Sequence, residues 1–184
     1  MTQATAVLEG EKVRLRPFTD DDVPQLYRWF NDREVLHWLQ LSEDPPELMQ
    51  SMDAHRERWQ RIRDDAGQQS WLIETKDGRP IGEIGLLDIH PTHHRAELGI
   101  VIGEQEYWNR GYGADAIRCL LRHAFGGVGL RRVGLIVDED NDRAIRCYEN
   151  CGFAREGLLR GYRLRDGQPI NMWVMGLLRE DWTP

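Results

Sequence analysis

The 184-residue sequence contains no long run of apolar side chains. A membrane-spanning helix needs about 20 consecutive and mostly apolar residues, so the sequence predicts no membrane partner. The N-terminal stretch MTQATAVLEGEK also lacks the basic start and the apolar segment of a secretory signal. Together these absences favour a cytoplasmic protein.

Cysteine is scarce and its number is odd, because Cys119, Cys147 and Cys151 are the three cysteines of the chain. An odd count in a chain of ordinary size does not indicate a disulfide framework, and reduced thiols are typical of the cytoplasm. Cys147 and Cys151 lie one helical turn apart. This spacing favours two half-buried small side chains over a redox or metal pair.

An excess of positive charge is also missing. The chain has 24 Lys and Arg against 31 Asp and Glu, which gives a formal net charge of -7. A general nucleic-acid binder needs a basic surface to neutralise phosphates, so we expect no nucleic-acid partner. An acidic chain can attract cationic small molecules, although in most proteins acidity serves solubility alone.

The sequence gives little indication of a metal site. His90, His93 and His94 lie close together in the stretch HPTHHR, but no cysteines or carboxylates flank them at ligand spacing. A turn between two strands explains the stretch better. We therefore expect no bound metal.

The sequence does contain a succession of short strand and helix patterns. KVRLRP alternates Val13 and Leu15 with basic residues, as a half-buried strand does. Helices are predicted in TDDDVPQLYRWFND, with Thr19 as N-cap, and in PPELMQSMDAHRERWQRIRDD. The second helix places on one stripe Leu48, Met52, His55, Trp59 and Ile62. On that stripe His55 is expected to be a core-edge residue and not a ligand.

From residue 69 onward the pattern becomes that of strands. QSWLIET, GRPIGEIGLLDI and RAELGIVI are separated by turn signals and predict an antiparallel meander. A helix after Gly113, a strand RRVGLIV, a helix ending near Gly152 and a hairpin around Asp166-Gly167 follow. We expect one α+β domain over residues 1–184, with roughly six or seven strands in a mostly antiparallel sheet that turns mixed where helices cross over.

Between RAELGIVI and the next helix lie Arg110, Gly111 and Gly113. The free N–H groups and the dipole of a helix N-terminus attract anions, and glycines let the main chain approach phosphate oxygens. The spacing matches neither a P-loop nor a dinucleotide fingerprint. Taken alone, these residues are equally compatible with an anion site and with a plain strand–helix turn.

Two separated motifs give the loop a more specific interpretation. WNRGYGADA resembles the acetyl-CoA diphosphate loop of the GNAT superfamily of N-acetyltransferases, usually written (Q/R)-x-x-G-x-(G/A). DEDNDRAIRCYENCGF resembles that family's N-x-x-(A/S)-x-x-x-(Y/F)-x-x-x-G-F segment, matched by Asn141, Ala144, Tyr148, Gly152 and Phe153. The resemblance extends from VRLRPF to MWVMGLL. It departs from the family at Trp108, where Gln or Arg is frequent.

The resemblance implies a GNAT-like fold and an acetyl-CoA-dependent N-acetyltransferase. Its YWNRGYG form is common in the branch that acetylates ribosomal-protein N-termini, polyamines and some aminoglycosides. The implied acceptor is therefore a primary amine that attacks the thioester directly: a polyamine, an aminoglycoside-like molecule or a protein N-terminus. The alternative is a catalytically idle member that only binds CoA or a small molecule.

The resemblance also implies where acetyl-CoA binds. The pantetheine arm is expected along the strand holding Ile100, Val101 and Ile102, at a place where strands splay apart. Asn141 is expected to cap its helix and to contact this arm. The diphosphate is expected at the main-chain amides of a loop formed by Trp108, Asn109, Arg110, Gly111, Tyr112, Gly113 and Ala114.

The resemblance places a general acid at Tyr148. A phenol with a pKa of about 10 is protonated at neutral pH and can donate to the leaving thiolate. A buried structural aromatic is the alternative. Glu97 alternates out of phase with Ala96 and Leu98, and the family often has a carboxylate base there. A salt-bridged or exposed glutamate is nearly as compatible, and Glu83 on the neighbouring strand competes.

The first two helices, residues 20–65, are expected to line the acceptor cleft. They carry Asp20, Asp21, Asp22, Glu34, Glu43, Asp44 and Glu47. Such acids suit every amine named above, so the sequence does not choose among them. It also leaves open whether the chain forms a homodimer.

Overall fold

The computed structural model describes residues 6–39 and 51–183. Its strands are β1 Leu8–Glu9, β2 Val13–Arg16, β3 Gln69–Thr75, β4 Pro80–His90, β5 Arg95–Ile102, β6 Arg132–Asp138, β7 Ala154–Arg165 and β8 Gln168–Leu178. They form one sheet in the order β1-β2-β3-β4-β5-β6-β8-β7. Neighbouring strands are antiparallel except β5 and β6, which run parallel.

This is the mixed, mostly antiparallel sheet that the sequence predicts, and the β3–β5 meander and the β7–β8 hairpin are confirmed. The described residues form eight strands, however, where six or seven were expected. The additional strand is β1, whose Leu8 and Glu9 pair with Leu15 and Arg14 of β2. Two residues are too few to show an alternating pattern, so only the pairing reveals this strand.

The α-helices of the described residues are α1 Val23–Trp29, α2 Arg33–Trp38, α3 Met52–Asp64, α4 Tyr112–Arg122 and α5 Asp142–Glu149. None of them is long and apolar enough to cross a membrane. Thr19 begins the first helical segment, as predicted, through a short 3₁₀ helix that leads into α1. The sequence did not predict α2, which is only six residues long. Its N-cap is Asp32, whose carboxylate accepts the Glu34 N–H at 2.9 Å.

The two faces of the sheet carry separate apolar cores. On one face, α4 and α5 pack over a large core that contains Trp71 and Ile73 of β3. On the other face, Leu72 of the same strand packs with Leu26 of α1 and Trp59 of α3. Because successive side chains of a strand point to opposite faces, one strand supplies both cores.

The predicted stripe of α3 faces this second core. Its members that pack there are Met52, Trp59 and Ile62. His55 is buried, with its ring centre 5.3 Å from that of Phe30 and 6.3 Å from that of Tyr27. It is therefore the core-edge histidine that was predicted. Leu48 lies outside the described residues.

The parallel pair β5–β6 is joined at one end only. Its ladder couples Arg95–Glu97 with Arg132–Gly134, whereas β5 stays paired with β4 as far as Ile102. Among the described residues the two strands thus separate after Glu97 and leave a gap in the sheet. Because they run parallel, the helices that follow them, α4 and α5, begin at the same edge of the sheet. The gap lies between these two helix N-termini.

Candidate active site

A cavity of about 910 Å³ occupies the gap between β5 and β6. Ile117 and Tyr148 line it from the face that carries α4 and α5. Phe30, which packs in the core that contains α1, lines it from the other face. Trp38 of α2 also lines the cavity. The cavity therefore passes through the sheet, so two molecules can enter it from opposite sides and meet.

The loop before α4 owes one of its glycines to backbone geometry. Gly111 is the N-cap of α4 and has a φ of +83°, and Asn109 has a φ of 59°. Residues other than glycine rarely adopt such left-handed conformations, so the turn itself requires Gly111. A Cβ on Gly113 would lie 3.8 Å from Cys147 Sγ and 3.9 Å from Ile102 Cγ1, which are ordinary contacts. Protein packing thus does not require Gly113.

Asp115 and Lys12, which the sequence analysis did not identify, connect this loop to the segment before β2. Asp115, in the first turn of α4, accepts the N–H groups of Glu11, Lys12 and Val13 at 3.1, 2.8 and 3.0 Å. The Lys12 ammonium donates to the Arg110 carbonyl at 3.0 Å. These contacts join residues about a hundred positions apart, so no local pattern announces them. They hold the N-terminus of α4 in place beside the cavity.

Trp108 closes the end of β5 with its side chain. Its indole N–H donates to the Ile102 carbonyl at 2.7 Å. The guanidinium of Arg143, near the start of α5, lies 3.7 Å from the centre of the indole ring. Trp108 therefore joins the end of β5 to α5, which explains in physical terms why a large aromatic suits the position where the family often has Gln or Arg.

The main chain at the end of β5 alternates between the β4 side and the gap. The Gly103 N–H donates to Ile81 of β4 at 2.9 Å, while the Ile102 carbonyl points the other way, to Trp108. The Ile100, Val101 and Ile102 positions all line the cavity. Because alternate residues direct their main-chain groups to the same side, the N–H and C=O of Ile100 face the gap.

Tyr148 is buried on α5, with its ring 6.0 Å from that of Phe153. Its hydroxyl makes no hydrogen bond to any described residue, and the side chain lines the cavity. Burial raises the pKa of the phenol above its usual value, so the hydroxyl keeps its proton at neutral pH. Asn141 caps α5, as expected, because its side chain accepts the Ala144 N–H at 3.2 Å.

Glu97 lies on the face of β5 opposite its neighbours Ala96 and Leu98, as the alternation predicts, and its side chain lines the cavity. Burial raises the pKa of its carboxyl group, and Arg132 and Arg95 act in the opposite direction. The nearest of these cations is Arg95, 3.8 Å away.

Glu83 of β4 lies on the same face as Glu97 and also lines the cavity. It is paired in register with Val101, four residues further along β5 than Glu97. At about 3.3 Å per residue the two carboxylates attach to the sheet roughly 13 Å apart. Both candidate bases therefore border the cavity, one near the closed end of the gap and the other near its open end.

The acids predicted to line the acceptor cleft do not do so where the structure describes them. Asp22 is buried in an ion pair with Arg16, at 2.6 Å, and neither the Asp20–Asp22 turn nor Glu34 borders the cavity. The remaining acids of that prediction, Glu43, Asp44 and Glu47, lie outside the described residues. The carboxylates that do line the cavity come from strands: Glu83, Asp88 and Glu97. Glu97 and Glu83 were predicted from the sequence as candidate bases, whereas Asp88 was not identified.

The histidine stretch forms a turn. The rings of His90 and His93 stack with their centres 4.3 Å apart, and the His93 N–H donates to His90 Nδ1 at 3.2 Å. No group of three or more possible metal ligands occurs among the described residues.

The cysteines are free thiols. Cys147 is half-buried and lines the cavity beside Gly113, and the buried Cys151 contacts the Ala114 carbonyl at 3.6 Å. The prediction of two half-buried small side chains is confirmed for Cys147, whereas Cys151, just beyond the end of α5, is buried.

Comparison with known proteins gives a consistent result. The acetyltransferase (GNAT) domain family matches residues 12–154. The chain is 30% identical over 179 residues to the uncharacterized N-acetyltransferase YoaA of Bacillus subtilis (strain 168), which covers 94% of this chain and 97% of that protein. It is 29% identical over 174 residues to spermidine N(1)-acetyltransferase of Escherichia coli (strain K12), covering 94% and 89% of the two chains.

A solved structure confirms the fold. The crystal structure of spermidine N-acetyltransferase from Vibrio cholerae in complex with CoA and spermine matches this chain with a TM-score of 0.83. The match covers 92% of this chain and 97% of that one, at 24% sequence identity. At this level of identity the comparison establishes a common architecture.

Proposed function

The chain belongs to the acetyltransferase (GNAT) family, and from this premise we propose that it transfers the acetyl group of acetyl-CoA to a cationic primary amine. The observation that carries the proposal is the cavity that passes through the sheet at the β5–β6 gap. A helix N-terminus suited to a diphosphate borders one of its sides, and carboxylates suited to an amine border the other.

Acetyl-CoA fits the side that carries α4 and α5. The main-chain amides of residues 109–114 offer donors to the diphosphate, and the bare Gly113 leaves them accessible. The Trp108 N–H, which the resemblance included in this set, already donates to the Gln105 carbonyl at 3.0 Å. The pantetheine arm would take the place that a continuing β6 would otherwise fill, and would bind the N–H and C=O of Ile100. The Ile102 carbonyl already accepts one hydrogen bond from Trp108, so the arm depends mainly on Ile100. Asn141, at the start of α5, lines the same part of the cavity.

In the reaction, a neutral amine attacks the thioester carbon, a C–N bond forms and the C–S bond breaks. A main-chain N–H of β5 can stabilise the oxyanion that develops on the carbonyl oxygen. Tyr148 donates its proton to the leaving thiolate, because its side chain lines the cavity and its hydroxyl stays protonated at neutral pH. The attacking nitrogen, which is cationic once the C–N bond has formed, releases its extra proton to solvent as the amide forms, and the phenolate recovers a proton from solvent.

Glu97 is the proposed base that removes the proton of the ammonium, directly or through water. Its carboxylate borders the cavity on the amine side, and its raised pKa makes it a stronger base than an ordinary glutamate. Glu83 is the competing candidate. The two candidates differ in their position along the gap. Glu97 lies next to the point where β5 and β6 separate, and Glu83 lies opposite Val101, further along the gap.

Among cationic amines, a polyamine is the favoured acceptor. Glu83 and Glu97 line the cavity about 13 Å apart and can attract the several ammonium groups of such a chain. Asp88 also lines the cavity, but its carboxylate is paired with Arg95. The similarity to an enzyme named for spermidine acetylation supports this choice. A cytoplasmic location, in which polyamines are available to the enzyme, belongs to the same proposal.

The proposal is tested by CoA release from acetyl-CoA with a panel of acceptors. The panel contains spermidine, an aminoglycoside, a peptide with a free N-terminus and a neutral aromatic amine. We expect kcat/KM to be highest for spermidine and lowest for the neutral amine. A preference for the peptide or the aminoglycoside would overturn the polyamine as the acceptor but would leave the proposed acetyl transfer standing. CoA binding without turnover of any amine would contradict the proposed activity.

A further inference from the structure

Two arginines lie near Glu97, although a carboxylate that acts as a base needs no cation beside it. Arg95 precedes it by two residues on β5, and Arg132 lies on the neighbouring strand β6. Asp88 of β4 and Glu156 of β7 are the other charged groups that act on its carboxylate among the described residues. An arginine in direct contact would hold Glu97 ionised and make it a weak base.

Glycines on this face allow the charged groups to lie flat against the sheet. A Cβ on Gly134 would lie 2.8 Å from Glu97 Oε2, so the Glu97 carboxylate sits directly over Gly134. On the next strand, Gly176 is paired in register with Gly134, and a Cβ there would lie 2.5 Å from Arg132 Nη1. Because adjacent strands are about 4.8 Å apart, Arg132 is next to Glu97 without touching it.

Another carboxylate holds Arg132 in this position. Its Nη1 and Nη2 donate to the two oxygens of Glu156, at 2.7 and 2.5 Å. Such a two-point contact uses the planar fork of the guanidinium and fixes its direction. Arg95 is held by a single contact, because its Nη1 donates to Asp88 at 3.0 Å, and the same nitrogen lies 3.8 Å from Glu97.

We propose that Glu156 is a positioning residue for acetyl transfer, which holds Arg132 over Gly176 and thereby keeps this cation from pairing with Glu97. The proposal rests on the proposed function, in which Glu97 is the base. Glu156 would touch neither substrate, and its effect would pass through Arg132. Asp88 has the same part toward Arg95, at a more exposed site, where its effect is smaller because solvent screens the charges.

The test measures the Glu97 carboxyl group directly. The chain is labelled with glutamate carrying carbon-13 at Cδ, the Glu97 signal is identified by its loss in Glu97→Gln, and its titration is followed by NMR. In Glu156→Gln the released Arg132 can pair with Glu97. We expect the titration midpoint of Glu97 to fall by about one pH unit, at the low end of the range for a carboxylate next to an arginine.

Two further variants test whether the shift of the Glu97 titration midpoint depends on Arg132. Arg132→Met removes the cation, so the Glu97 midpoint should rise. In the double variant Arg132→Met with Glu156→Gln, the downward shift should vanish because no guanidinium remains to be released. Glu9→Gln is the matched control, since Glu9 lies on β1, at the far edge of the sheet, and is likewise paired with cations, Arg14 and Lys76. It should leave the Glu97 midpoint unchanged.

The pH dependence of kcat/KM connects this shift to the reaction. We expect the acid limb of Glu156→Gln to move in the same direction as the NMR midpoint, while the thermal midpoint shows that the variant remains folded. An unchanged Glu97 titration in Glu156→Gln would overturn the proposal. If the titration moved and the acid limb did not, Glu97 would not be the base and Glu156 would have no role in the reaction. The panel of amines would still show whether acetyl transfer itself occurs.

Discussion

The two faces of the sheet differ most where they meet at the cavity. On the side of α4 and α5, Ala96 and Leu98 of β5 are buried in the main core. On the opposite side of the same strand, Glu97 lies over Gly134. The ion pair of Arg132 and Glu156 lies over Gly176 on the same face. At this part of the sheet the first face is filled by apolar packing, while the second lacks Cβ atoms at Gly134 and Gly176, so that charged groups can lie on it.

This difference teaches how one gap serves two dissimilar molecules. The apolar face holds the gap open, because α4 and α5 pack against the strands on either side of it. It leaves main-chain groups of β5 for a neutral arm such as pantetheine. The charged face offers what a cation needs, which is carboxylates in partial contact with water. If this division is correct, changes on the two faces should alter different kinetic steps.

The largest effect is expected on the packed face, at Tyr148. Tyr148→Phe keeps the ring and its contact with Phe153 but removes the proton donor. We expect kcat to fall about 100-fold, at the lower end of the range for general acid catalysis, with little change in the KM for acetyl-CoA. Steady-state kinetics over a range of pH measures both. A variant that works at the wild-type rate would make Tyr148 purely structural.

A smaller effect is expected on the charged face, at Glu97. Glu97→Gln should lower kcat/KM for the amine about tenfold at pH 7, less than a full general-base effect because the amine can also lose its proton to water. The acetyl-CoA KM should stay unchanged.

The pH profile gives this prediction its sign. A base must be ionised, so wild-type activity should be lost as the pH falls through the raised Glu97 pKa. In Glu97→Gln this acid limb should disappear, leaving only the rise toward the pKa of an aliphatic amine near 10. Retention of the limb would assign it to another group, with Glu83 the first to be tested by the same substitution.

The contrast between the faces also explains what the sequence could predict. Gly111 and Asn141 were found because a turn and a helix cap are local, and their patterns repeat within a family. The opposite phase of Glu97 followed from simple alternation along one strand. Asp115 and Lys12 were not found, since their partners lie about a hundred residues away.

The acceptor side was predicted less well for the same reason. Acids of residues 20–65 were expected there, but Asp22, in the turn before α1, is paired with Arg16, and strand residues border the cavity instead. Charge alone does not tell an ion-paired carboxylate from one that faces a cavity. That distinction depends on strand register, which pairs Glu97 with Gly134 and Gly134 with Gly176.

The smallest effect is expected from Gly134→Ala, which changes the position of the Glu97 carboxylate but keeps the group itself. Gly134→Ala leaves the carboxyl group in the protein but puts a Cβ 2.8 Å from its oxygen. The side chain is flexible at its end, so we expect it to move aside while the fold persists. Small displacements of reacting groups reduce rates, and kcat/KM for the amine should fall by about threefold.

The matched control for this last substitution is Gly157→Ala on β7, where an added Cβ would meet nothing within 4 Å. Both variants add one methyl group to a strand glycine, so their shared effect on strand stability cancels in the comparison. Kinetics with spermidine and thermal midpoints measure the two contributions. A loss of amine kcat/KM in Gly134→Ala alone, at equal thermal midpoints, would show that the bare strand serves Glu97. Equal activity in the two variants would mean that the charged face tolerates a displaced carboxylate, and the division between the faces would then rest on the packed side alone.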